Sequence, residues 1–115
     1  MPLDADNVEK FRALLNARMD ELQNLSDGAA DARKAVELDQ QVMGRLSRQD
    51  ALQQQAMAKA QEARRSAELK RLAAALARIN EGEFGWCADC GEAIAQKRLE
   101  IDPAAELCVR CASGG

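Results

Sequence analysis

Histidine and tyrosine are absent from this 115-residue chain, and one tryptophan, two phenylalanines and two prolines are all it holds of three other ring-bearing types. Without histidine, the commonest general base is missing, and so is the usual catalytic zinc arrangement of protein ligands plus water. No nucleophile stands beside a base, no carboxylates pair at a catalytic separation, and no glycine-rich phosphate loop occurs, so the chain is not expected to be an enzyme. No apolar run approaches the roughly 20 residues of a membrane span, and nothing resembles a cleavable targeting segment. A cytoplasmic protein with no membrane partner is therefore expected. A strong positive balance is lacking too. The formal net charge is −3 and the pI about 5.0, which argues against direct, sequence-specific binding to DNA through its phosphates.

What is present is alanine and charge. Hydrophobic residues make up 47% and charged residues 30%, the composition of long, surface-rich helices rather than of a sheet sandwich. The length allows one small domain, or a long element with a compact appendage.

Two helical stretches stand out. Over residues 4–25, Asp4 and Asp6 offer N-caps, and Val8, Phe11, Leu15, Leu22 and Leu25 recur at helical spacing, with Leu14 and Met19 widening the stripe. Ser26-Asp27-Gly28 predicts a break or a new cap, and residues 29–46 predict a short helical turn followed by an irregular segment, punctuated by Gly44. The second stretch starts at Ser47 as N-cap and runs to Glu81. Ala56, Ala60, Ala63 and Ala67 predict a close-packing face that continues into Leu69, Leu72, Leu76 and Ile79. The charges of Glu62, Arg64, Arg65, Glu68, Lys70 and Arg71 predict a solvated surface. At 1.5 Å per residue the two helices would be about 33 and about 52 Å long, so the second would overshoot the first and leave a tip near 44–51. Gly82 ends the second helix. The expected fold is all-α, an antiparallel helical hairpin over 1–83 with a four-cysteine module over 84–115.

All four cysteines fall into two Cys-x-x-Cys hooks, Cys87 with Cys90 and Cys108 with Cys111, separated by seventeen residues. That spacing predicts a tetrahedral metal site, and four soft thiolates favour zinc. A closed four-ligand site leaves no open position, so one structural Zn(2+) per chain is expected. Between the hooks the apolar residues are few, mainly Ile94, Leu99, Ile101 and Leu107, with Phe84 and Trp86 ahead of them, so metal binding must help to order the module.

The stretch FGWCADCGEAIAQKRLEIDPAAELCVRC, residues 84–111, following a helical hairpin, resembles the DksA/TraR family of bacterial regulators from its aromatic-Gly-aromatic entry through Ile94 and Arg98-Leu99 to the Pro103–Leu107 approach. The resemblance implies a transcription regulator that binds RNA polymerase through its secondary channel, often together with the alarmone ppGpp. It implies a hairpin tip near the active centre of polymerase. The family's D-x-x-D-x-A motif stands here as Ser47-Arg48-Gln49-Asp50-Ala51, which makes Asp50 and Ala51 the tip candidates. On the second helix, Arg64 and Arg71 fall where longer members carry basic residues, as contacts to the alarmone or to polymerase. A monomer is expected, and its acidic balance suits basic channel walls.

Two other readings of the same residues are a zinc-ribbon nucleic-acid binder with Lys97, Arg98 and Arg110 as its patch, and a thiol redox enzyme using the Cys-x-x-Cys pairs.

Overall fold

The computed structural model describes residues 3–43 and 48–114, with side-chain surroundings given outside 36–43. Four helices follow in order: α1 (Ala5–Met43), α2 (Arg48–Glu81), α3 (Gln96–Ile101) and α4 (Val109–Ala112). The first two form a helical hairpin. Among the described residues no strand occurs, and the one isolated bridge pairs Trp86 with Ala93. No helix there is long and apolar enough to cross a membrane.

Asp4 starts α1. Its Oδ1 accepts from the Asn7 backbone N–H at 2.8 Å, and its carbonyl takes the first helical bond from Val8 N–H at 3.0 Å, the geometry of an N-cap. Asp6 sits in the first turn, where a carboxylate faces the positive end of the helix. The Ser47 cap foreseen for α2, and Gly44, lie outside the described residues. At its other end α2 closes with a Schellman motif: Gly82 at φ +77 donates to Ile79 O at 3.1 Å, and Glu83 N–H donates to Arg78 O at 2.8 Å. A left-handed turn of this kind favours glycine, which has no Cβ to clash.

The expected break at 26–28 does not occur, since α1 continues through it for 39 residues. The turn-forming side chains are occupied otherwise. Ser26 is buried, with its Oγ accepting from Arg65 Nε at 3.2 Å, and Asp27 Oδ1 accepts from Gln23 Nε2 one turn earlier at 3.2 Å. Gly28 costs the helix about 1 kcal/mol relative to alanine, too little to stop one this long. The segment up to Met43 is likewise helical rather than irregular. With 39 residues in α1 and 34 in α2, the expected overshoot of the second helix is not found.

The chain divides into two compact units, Met1–Met19 with Lys70–Gly115, and Asp20–Leu69. In the first, α1 and α2 run antiparallel. Arg12 Nη1 donates to Asn80 Oδ1 at 2.9 Å, and Val8, Phe11 and Leu15 are buried, as are Leu72, Ala75 and Ile79. The finger packs into the same core: Phe84, Ile94, Leu99, Pro103, Ala104 and Ala105 are buried, and the chain's two phenylalanines, Phe11 and Phe84, meet with ring centroids 5.6 Å apart. Burying aliphatic and aromatic side chains of this size contributes roughly 1.5–3 kcal/mol each.

In the second unit the seam is partly polar. Arg65 donates to Ser26 and, through Nη2, to Glu62 Oε2 at 2.8 Å. The alanine face foreseen at Ala56, Ala60, Ala63 and Ala67 is exposed, whereas Ala58, Glu62, Arg65 and Leu69 are half-buried. Ala67 and Leu69 are two residues apart, about 200° around the helix, so they cannot share a face. The face that includes Leu69 continues upstream through Arg65, Glu62 and Ala58. Glu62 and Arg65 are therefore seam residues rather than solvated charges. Leu14 and Leu25 of the first stripe are also more exposed than expected, at 40% and 55%.

Candidate metal centre

The first hook is a tight turn held by its own backbone. Ile94 N–H donates to Gly85 O at 2.7 Å and Cys87 N–H to Glu92 O at 2.8 Å, while Gly91 N–H turns back to Cys87 O at 3.0 Å. Gly91 has φ +73 with nothing within 4 Å of a built Cβ, so conformation rather than space demands glycine there. The second hook opens α4, with Cys108 as its N-cap and the Cys108 Sγ accepting from Cys111 N–H at 3.5 Å.

The hooks meet. The four Sγ atoms of Cys87, Cys90, Cys108 and Cys111 lie within 4.8 Å of one another, and Cys90 Sγ is 3.8 Å from Cys108 Sγ. A zinc–sulfur bond of about 2.3 Å in a tetrahedron requires sulfurs about 3.8 Å apart, so the donor set fits the ion in kind, number and separation. It fits one structural zinc, closed to substrate.

Electrostatics point the same way. Backbone N–H groups of Cys90 and Cys108 aimed at Cys87 bring its thiol down to about 6, and the Cys111 N–H lowers Cys108. Crowding by the Cys108 and Cys87 side chains pushes Cys111 up to about 12. Four sulfurs this close cannot all carry charge without a cation among them, and a divalent ion displaces the remaining protons as it binds. Arg110 is raised by its hydrogen bond to Cys90, which places a positive charge beside the thiolates.

The other residues singled out from the sequence supply none of the ligands of this cluster. Asp50 is exposed in the first turn of α2, with Ala51 half-buried after it. Arg64 is exposed. Arg71 donates from Nη2 to Asp102 Oδ2 at 2.8 Å. Of the basic residues in the finger, Lys97 and Arg110 are exposed, while Arg98 is half-buried and donates from Nε to Leu107 O at 2.9 Å. Sequence reasoning missed Arg78, whose Nη2 reaches Ala104 O at 3.4 Å and whose Nη1 stands 3.9 Å from Glu106 Oε2. Its place seven residues after Arg71, on the same side of α2, was the available signal.

A closed C4 site on the base of a helical hairpin defines a zinc-finger protein in which the metal has a structural role. Residues 82–114 match the family described as the prokaryotic dksA/traR C4-type zinc finger. The chain is similar to the RNA polymerase-binding transcription factor DksA of Haemophilus influenzae, 42% identical over 43 residues, which is 37% of this chain and 30% of that protein. It is similar to the factor of the same name from Escherichia coli K12, 37% identical over 43 residues, or 28% of that protein. In these curated relatives the matched region thus spans less than a third of their length. Among solved structures, transcription factor DksA2 from Pseudomonas aeruginosa matches with a TM-score of 0.80 at 28% identity, covering 96% of this chain and 83% of that one. Residues 82–114 are thus similar to the DksA/TraR C4 zinc fingers, and the chain that carries them is DksA-like in fold.

Proposed function

We propose that this chain is a regulator of transcription initiation that binds RNA polymerase through the secondary channel and performs no chemistry of its own. One observation carries the reading: a match to the DksA/TraR finger at residues 82–114 is combined with a fold that matches DksA2 over 96% of the chain. The relatives named for polymerase binding match this chain over 43 residues. In this reading the protein works in the cytoplasm as a monomer, without sequence-specific DNA contacts.

Asp50 and Ala51, at the start of α2, are proposed as the residues that approach the active centre. As an acid in the first turn, Asp50 also supports the helix start by roughly 0.3–1 kcal/mol. Arg64 and Arg71 are proposed as contacts to polymerase or to ppGpp. For Arg71, a phosphate would have to replace the Asp102 carboxylate that now accepts from it.

Pull-down of RNA polymerase followed by multi-round transcription on a ribosomal RNA promoter tests the whole reading. The Asp50→Asn variant tests the tip. Polymerase binding should persist and the effect on initiation should fall sharply, while full regulatory activity in Asp50→Asn would remove its functional role. Absence of polymerase from the pull-down would overturn the function itself.

A further inference from the structure

Seventeen residues separate Cys90 from Cys108, and a loop of that length must close before the two hooks can share an ion. Its closure rests on two consecutive carbonyls. Glu106 O accepts at 2.8 Å from the N–H of Ala88, which lies inside the first hook. Leu107 O, the next along, accepts at 2.9 Å from Arg98 Nε. Leu107 directly precedes Cys108, so these two bonds hold the peptide from which the second hook departs.

The donor to Leu107 is itself well fixed. Arg98 stands on α3 beside Leu99, which is fully buried, and its own carbonyl accepts from Asp102 N–H at 2.8 Å. The side chain is half-buried, unlike its neighbour Lys97. A guanidinium suits the task because its Nε–H has a set direction within a rigid plane, whereas an ammonium on a flexible stem does not define an angle. From α2, Arg78 reaches the same segment at Ala104 O.

We propose that Arg98 is a positioning residue of the metal centre. By fixing the Leu107 carbonyl it sets the direction in which Cys108 and Cys111 enter, so the affinity for zinc depends on a side chain that does not touch the ion. Groups that orient metal ligands from outside the coordination shell commonly change affinity by about 10–100-fold when removed. Pre-ordering the second hook acts by the same route, since less ordering is left to be done when the ion binds.

Competition between the full-length protein and a chromophoric chelator for zinc tests this directly. Arg98→Gln should bind zinc about tenfold more weakly or worse, while Lys97→Gln, which removes an adjacent positive charge, should match the parent. Cobalt-loaded Arg98→Gln should keep the thiolate-to-metal absorption of a four-sulfur site, and its helical ellipticity should be unchanged. Parent-like affinity in Arg98→Gln would overturn the proposal. An equal loss in Lys97→Gln would overturn it too, because charge and not direction would then be responsible. If Arg98→Gln does not fold, zinc release from Arg98→Lys into excess chelator decides: faster release than the parent supports positioning, and an equal rate refutes it.

Discussion

Ser26 of α1 and Arg65 of α2, thirty-nine positions apart, meet through a 3.2 Å hydrogen bond from Arg65 Nε to the Ser26 hydroxyl. Arg65 also holds Glu62, so one guanidinium serves both helices of the Asp20–Leu69 unit. Ser26→Ala deletes an acceptor from a half-buried charged donor. A loss of about 1 kcal/mol is expected, read as a lower urea midpoint with an unchanged slope.

The same cluster makes stability depend on pH. Hydrogen bonds from Arg65 and then Ser26 hold Glu62 below the ordinary carboxylate value of 4.5. The folded chain therefore takes up this proton less readily than the unfolded chain does. Glu62 contributes stability that is fully present above the unfolded value and is lost as pH falls through the lower folded one. Urea midpoints for the parent and Glu62→Gln should differ at neutral pH and converge in acid. A constant gap across that range would contradict the assignment.

Phe11 packs on Phe84 in the core of the other unit. Phe11→Ala should cost about 3–5 kcal/mol, and Phe11→Asp more, because a charge would be placed where no water reaches. Thermal unfolding measures both. Sedimentation velocity of the parent should show a monomer across concentration, as proposed.

Zinc removal should act unevenly. Native mass spectrometry should find one zinc per chain, with Cys108→Ser binding it far more weakly. After chelation, amide protection should fall first within 84–111, where the backbone bonds belong to turns and to two short helices. Amides of the Asp20–Leu69 unit should keep their protection, since that unit has its own seam.

The metal site was legible because ligand spacing is a local property: two hooks and the residues between them sufficed. The hairpin base was legible for a similar reason, since Val8, Phe11, Leu15, Leu72 and Ile79 are apolar and buried. Further along the hairpin the code is polar. Ser26, Glu62 and Arg65 occupy seam positions that an apolar template passes over, and the alanines at 56, 60, 63 and 67 offered a stripe with the wrong phase. Ser26-Asp27-Gly28 favours a turn by local preference, and only partners elsewhere in the fold, above all Arg65, override it. Arg98 carried no such signal, because its acceptor is a backbone carbonyl nine residues away.

Trp86 is the chain's one indole. It is 40% exposed, is paired with Ala93 across the first hook, and directly precedes Cys87. With no tyrosine to add background, the near-ultraviolet emission of this protein comes from one place, a single residue from a metal ligand. The molecule thus carries a built-in optical gauge of its finger that is blind to the Asp20–Leu69 unit. Emission followed alongside helical ellipticity during a metal titration would record the two regions as separate traces from one unlabelled sample.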